Sequence, residues 1–271
     1  MSYRVIALDL DGTLLDPQKN ILSESLSALN EARQAGIKIL IVTGRHHVAI
    51  RPFYQALQLD TPAICCNGAY SYDFNAKKVL ASNPLSIQEA SLALSYLQDT
   101  EIQHLMYVDE SILYEFPHTV ARTLAWSDSL PEHQRPTLQK ISNFQDAIHD
   151  FNFIWKFATS SSNLVKLREI SEQIEENVGL ECEWSWFDQV DIAKKGNSKG
   201  MRLQQWVESQ DLSMKNVIAF GDNYNDLSML ETAGLGVAMG NAVDTVKERA
   251  DIITRDNTQP GIAEVIRKYV L

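Results

Sequence analysis

Val5, Ile6, Ala7 and Leu8 read as a strand buried on both faces, and the chain leaves it through two acids, Asp9 and Asp11, and the turn residue Gly12. A strand covered on both sides belongs in a parallel sheet flanked by helices, which narrows the fold before anything else is considered. The acids raise a second demand, because carboxylates are rarely buried without a partner. Two residues apart on a strand, they point to the same side, about 7 Å apart at the usual rise per residue. At an effective dielectric near 20 their repulsion is about 2 kcal/mol, so the pair calls for a cation.

The stretches that follow keep the same rhythm. Ser23 is placed to cap a helix with Leu22, Leu26 and Leu29 on one face, and Gly36 to end it. IKILIV, residues 37–42, reads as a second buried strand. The segment TGRHHVAIRPFYQALQL reads as a turn and a helix that Pro52 starts late or kinks, and AICC, residues 63–66, as a third strand. Strand, helix, strand, helix, strand is the signature of right-handed βαβ units, in which ligands bind at the carboxyl ends of the strands.

After Pro84 the rhythm changes. Ser86 to Glu89 matches a capping box, and a helix follows with Ala90, Leu94 and Leu97 on one face. LMYV and ILYEF flank Asp109 and Glu110 as a hairpin. FIWKFAT, a helix ending at Gly179, and LECEWSW complete the section. In the last of these, Leu180, Cys182, Trp184 and Trp186 alternate with polar residues, as in a strand with one buried face. Beyond Lys195 the βα pattern resumes with NVIAFG, a short helix over residues 225–233, GVAM, DIIT and a closing helix. The fold expected is α/β: a doubly wound, Rossmann-like parallel core from residues 1–83 and 190–271, with an inserted α+β cap on an antiparallel sheet over residues 84–189.

Length and composition bound the class. With 271 residues, 45% of them hydrophobic, the chain has material for one large domain or two. Its apolar runs are far too short to span a bilayer, and its start lacks the pattern of a secretory signal, so a cytoplasmic protein is expected. Three cysteines, Cys65, Cys66 and Cys182, form an odd set without C-x-x-C spacing and read as core residues in a reducing compartment. A net charge of −11 disfavours nucleic acid and anionic membrane as partners, so an anionic ligand must be drawn in by local donors. No sequence feature fixes an oligomeric state.

Four stretches fall at strand ends or helix starts of the expected core: DLDGT at residues 9–13, Thr43-Gly44-Arg45, Asn197-Ser198-Lys199-Gly200, and GDNYND at residues 221–226. Taken singly, each has a plainer role: a turn with a cap, a loop, a surface lysine, a calcium-like loop or an Asx-turn. Together they bring acids for a metal and donors for an anion to one sheet edge, the combination that phosphoryl transfer requires. His46 and His47 fit either the mouth of that site or a solvated first helical turn. Trp184 and Trp186 fit a core more readily than a stacking surface, and Asp109 and Glu110 fit a plain turn.

These four motifs resemble those of the haloacid dehalogenase superfamily, and within it the Cof-type phosphatases, along the whole chain. The resemblance implies an Mg²⁺-dependent phosphatase for a small phosphorylated metabolite. It gives Asp9 as the nucleophile that becomes an aspartyl phosphate, and Asp11 as the acid and then the base. It implies Mg²⁺ on the Asp9 carboxylate, the Asp11 main-chain carbonyl and Asp222. Thr43, the N–H groups of Gly44 and Leu10, Lys199 and Asn225 would hold the phosphate, Asp226 would support the metal or Lys199 from behind, and Arg45 would touch substrate. TGRHHVAI, PFYQAL, DTPAICCNG and LECEWSW further resemble a bacterial member of the family that acts on pyridoxal phosphate, with sugar phosphates the alternative. The inserted domain is expected to close over the site and select the leaving group. A phosphomutase shares the same core and returns the phosphoryl group to its sugar. A phosphoacceptor signalling domain shares the acids and the lysine, but needs neither the insertion nor the second acid.

Overall fold

The computed structural model describes residues 3–271. The chain forms two compact units, one comprising residues up to Gly44, Phe53–Ala81 and Ser198–Leu271, the other Arg45–Pro52 and Ser82–Asn197.

The first unit is built on a five-stranded sheet in the order Ile252–Ile253, Leu235–Ala238, Val217–Gly221, Val5–Leu8, Lys38–Ile41, with every pair parallel. Val5–Leu8 and Val217–Gly221 are its central strands, paired from Val5 with Val217 to Leu8 with Phe220, and every residue in both is buried. That burial explains their unbroken apolar composition. Leu203 and Val207 of the helix Lys199–Glu208, with Met229 and Leu230 of Leu227–Thr232, pack against Val5, Ala7, Val217 and Ala219. A second helix pair, Ser23–Gln34 and Gly261–Tyr269, lies together elsewhere on the unit.

Local differences from the sequence reading have physical causes. Ser23 is the first helical residue and not the cap, because its hydroxyl turns to the Glu24 carboxylate at 2.9 Å. The buried face of that helix is Ser25, Ala28, Leu29 and Ala32. Gly36 follows the helix with φ +85°, as a left-handed stop requires. Ala63–Cys65 meets the parallel sheet through a bridge between Val42 and Ile64, then joins a three-stranded sheet that the periodicity did not reveal, antiparallel to Tyr70–Asp73, with Lys78–Ser82 beyond it.

The second unit carries a six-stranded sheet in the order Glu181–Trp186, Gln189–Ala193, Ile154–Ser160, Gln103–Val108, Ile112–Tyr114, Leu138–Lys140. All pairs are antiparallel except the last. The helices Ile87–Leu97 and Leu164–Val178 supply Leu94, Leu97, Leu167, Ile170 and Ile174 to a core with Met106, Phe157, Val190 and Ile192. The capping box at Ser86 is present, with Glu89 N–H donating to Ser86 Oγ and Ser86 N–H to Glu89 Oε2. The boundary expected at residue 189 falls at the first residue of a strand that pairs on both sides, so the unit runs on to Asn197. Asp191 hid that strand in the sequence, and it is buried against the Lys156 ammonium at 2.6 Å. Leu180, Cys182 and Trp184 pack on the core as their alternation predicts, whereas Trp186 lies beyond a register shift and is exposed.

Candidate active site

The strand Val5–Leu8 ends in Asp9 and the strand Val217–Gly221 in Asp222, so the parallel register delivers both acids to one edge of the sheet. A tight loop follows Asp9, with Leu15 N–H donating to Leu10 O at 2.9 Å and Thr13 N–H to the same oxygen at 3.3 Å. It returns the Thr13 hydroxyl to Asp222 Oδ1 at 2.7 Å. Gly12 has φ +82°, and a Cβ there would stand 2.3 Å from Asp222 Oδ2, so the loop and the second acid fit only with glycine between them.

Lys199 opens its helix behind the cap Ser198, whose side chain accepts from Met201 N–H. The lysine is fully buried and donates to Asp9 Oδ1 at 2.7 Å and Asp226 Oδ1 at 2.6 Å, so the surface role that suits most lysines does not apply. The second oxygen of Asp226 accepts from the main-chain N–H groups of Asp222 at 2.8 Å and Asn223 at 3.1 Å. Asp226 therefore braces both Lys199 and the loop that carries Asp222.

Three buried carboxylates thus face one ammonium. Oxygens of Asp9, Asp222 and Asp226 lie within 4.8 Å of one another. Burial, with Asp226 and Asp11 adding repulsion and Lys199 opposing, lifts the Asp9 carboxyl to about 7. Burial and the charges of Asp9 and Asp226 lift Asp222 well above the ordinary carboxylate range. For Lys199, burial works against the charged form, but Asp226 and Asp9 outweigh it and hold the ammonium above its usual value. The site is short of positive charge.

Thr43 is buried at the end of its strand, with its N–H on Ile64 O at 2.9 Å. Gly44 follows, and Asn225 donates through Nδ2 to Asn67 Oδ1 at 3.1 Å. The distribution of the acids departs from the sequence reading. The strand ends at Leu8, and Asp11 turns away to the Lys19 ammonium at 2.6 Å, more than a third exposed. The crowding expected between Asp9 and Asp11 lies mainly among Asp9, Asp222 and Asp226, which distant parts of the sequence bring together.

Arg45, His46 and His47 belong to the segment that groups with the second unit. Arg45 lies over the Trp126 ring at 5.2 Å. Both histidines are buried, which corrects both roles considered for them. His46 Nε2 bonds Val108 O at 2.5 Å and its Nδ1 accepts from Val48 N–H, while His47 Nε2 meets Glu110 at 2.9 Å. Glu110 and Asp109 are more than a turn: Asp109 also accepts from the N–H groups of Asn152 and Phe153, both at 2.9 Å.

The sequence matches the family described as haloacid dehalogenase-like hydrolase over residues 6–266. The chain belongs to that family. It is 54% identical over 272 residues to the pyridoxal phosphate phosphatase YbhA of Escherichia coli, covering all of both chains. It is 30% identical to the 5-amino-6-(5-phospho-D-ribitylamino)uracil phosphatase YcsE of Bacillus subtilis, covering 100% of this chain and 97% of that one. A haloacid dehalogenase-like hydrolase of Bacteroides thetaiotaomicron superposes with a TM-score of 0.83 at 26% identity, over 98% of this chain and 99% of the other.

Hydrolases of this family generally use a divalent metal, and the donor set here fits one. Its oxygens are hard, buried and closely spaced, and their charge exceeds what Lys199 neutralises. Asp226 has both oxygens engaged by hydrogen bonds, whereas Asp9 and Asp222 each engage one, which favours those two as ligands.

Proposed function

We propose that this chain, a phosphoric monoester hydrolase, hydrolyses pyridoxal 5′-phosphate through a phosphorylated Asp9, with Mg²⁺ held by Asp9 and Asp222 and by the main-chain carbonyl of Asp11. The observation that carries the chemistry is Asp9 itself: a buried carboxylate fixed through one oxygen by Lys199 at the end of a sheet strand. The substrate rests on the full-length identity with the E. coli pyridoxal phosphate phosphatase.

In the first step an Asp9 oxygen attacks phosphorus, the bond from phosphorus to the ester oxygen breaks, and Asp11 gives its proton to the leaving alkoxide. In the second, Asp11 takes a proton from water, whose oxygen attacks phosphorus and releases inorganic phosphate and the Asp9 carboxylate. Asp11 is more than a third exposed and bonded to the Lys19 ammonium at 2.6 Å. Lys199, Thr43, Asn225 and the N–H groups of Leu10 and Gly44 hold the phosphate oxygens. Asp226 keeps Lys199 charged and aimed. Bound by Asp9, Asp222 and the Asp11 carbonyl, a divalent metal would supply positive charge where the phosphoryl oxygens and the acids concentrate the negative. Arg45 is the proposed substrate contact from the segment that follows Gly44. A cytoplasmic setting accords with three free cysteines. No helix among the described residues is long and apolar enough to cross a membrane.

The test is phosphate release from pyridoxal 5′-phosphate and a set of hexose phosphates, compared by kcat/KM with Mg²⁺ and with excess chelator. Pyridoxal phosphate is expected among the best esters, with activity lost in chelator and in Asp9→Asn. A sugar ester turned over a hundredfold more efficiently overturns the substrate. Full activity of Asp9→Asn, or turnover without stoichiometric free phosphate, overturns the mechanism.

A further inference from the structure

Cys66, Asn67 and Gly68 follow the strand Ala63–Cys65 with φ of +50°, +54° and +88°. Three consecutive left-handed residues, two of them not glycine, are a conformation that a chain adopts only when its surroundings impose it, and such strain gathers at functional sites. The surroundings here belong to the phosphate machinery. Arg202, on the helix that Lys199 opens, is buried and donates to Gly68 O at 2.9 Å and Ala69 O at 3.4 Å. Gly68 presses on the residue before Lys199: a Cβ there would lie 2.2 Å from Ser198 O. Asn67 N–H donates to Thr43 O at 3.1 Å.

The clamp delivers the Asn67 side chain, itself 5% exposed, to a defined place. Its Oδ1 accepts from Asn225 Nδ2 at 3.1 Å and would stand 2.8 Å from a Cβ on Gly44. A primary amide has two N–H donors and one carbonyl, and both ends have similar shape. With one Asn225 N–H given to Asn67, the other is left for an anion. The reversed amide would set two carbonyl oxygens against each other. We propose that Asn67 is a positioning residue of the phosphate site: it fixes the Asn225 amide with a donor forward. The proposal rests on the phosphatase reading, which gives Asn225 and Gly44 their ligand. Nothing in the four motifs marks Asn67, which comes to the site only through the left-handed turn.

The test uses the full chain with Mg²⁺ and measures binding of inorganic phosphate by calorimetry, alongside kcat and KM. Asn67→Gly keeps the left-handed turn and removes only the carboxamide. It is expected to melt within a few degrees of the parent, to weaken phosphate binding about tenfold and to raise KM about equally. In an Asn225→Ala background the same change is expected to add nothing, because Asn67 acts through Asn225; a merely structural loss would add to it. Should the glycine variant fail to fold, Asn67→Asp is isosteric and tolerates the turn, and its negative charge is expected to weaken phosphate binding at least tenfold. Unchanged phosphate affinity in either variant, or losses that multiply with Asn225→Ala, overturn the proposal. A parent chain that binds phosphate but hydrolyses no ester overturns the phosphatase reading alone, and one that binds no phosphate overturns both.

Discussion

Replacing Lys199 by Met keeps most of the side-chain volume and removes the ammonium that donates to Asp9 and Asp226, at 2.7 and 2.6 Å. Breaking a buried ion pair by removing one partner costs about 3–5 kcal/mol, because the other charge is left buried. For a chain of this size that corresponds to a fall of about 6–20 °C in Tm. The assay is thermal unfolding of parent and Lys199→Met in excess chelator and across a Mg²⁺ titration. In chelator the variant is expected to melt in that lower range, and Lys199→Met with Asp9→Asn to recover part of the loss, since one carboxylate goes with the cation. Adding Mg²⁺ is expected to raise the variant's Tm more than the parent's, because the ion restores missing positive charge. A Lys199→Met variant that melts within about 2 °C of the parent in chelator refutes the reasoning: the lysine would not be balancing the acids.

The same acids set a pH dependence. The Asp9 carboxyl is raised to about 7 by burial, so the folded state binds its proton more tightly than the unfolded state; the stability this provides is complete below about pH 4 and lost as pH rises through 7. In chelator, denaturant unfolding is expected to show a gain of at least about 2 kcal/mol from pH 8 to pH 5, smaller in Asp9→Asn, where the raised Asp222 carboxyl remains, and a parent that weakens over that interval contradicts it. Gly12→Ala is expected to lose Mg²⁺ affinity more than tenfold in an activity titration, because its Cβ would meet Asp222 Oδ2 at 2.3 Å. Gly36→Ala has an equally positive φ but nothing within 4 Å, so it is expected to cost about 1 kcal/mol of stability and no activity; equal metal affinity in the two variants refutes the clash.

The sheet and the motif positions were legible because strands buried on both faces leave long apolar runs, and these end abruptly where the site begins. Asp9 and Asp222 follow those ends directly, Asp226 comes a turn later and Lys199 opens a helix, and the structure brings all four together. Which acids crowd was not legible, since it depends on register between strands about 210 residues apart and on Lys19 capturing Asp11. The strand Gln189–Ala193 was hidden because Asp191 looks like a loop residue until Lys156 is placed against it. His46 and His47 look like solvated residues until Val108 and Glu110 are seen to receive them. Asn67 looks like half of an ordinary Asn-Gly turn. In each case the partner lies far along the chain, beyond any local pattern.

The walls around the acids explain why their repulsion is not relieved by movement. A Cβ on Gly12 would strike Asp222 at 2.3 Å, and one on Gly221 would strike Asp226 Cβ at 2.5 Å, so main chain already touches two of the three carboxylates. The Asp226 oxygens are tied to Lys199 and to two N–H groups, and Asp222 to Thr13. Held this way, the cluster can lower its energy only by taking up protons or a cation, which is how a site stays ready for a metal at a cost to the stability of the metal-free chain. Asp11, more than a third exposed, pairs instead with the Lys19 ammonium. In the proposed reaction, environment divides the labour between the two acids of one motif. The enclosed one is held as an oriented nucleophile, and the open one exchanges the proton that the leaving group and then water require.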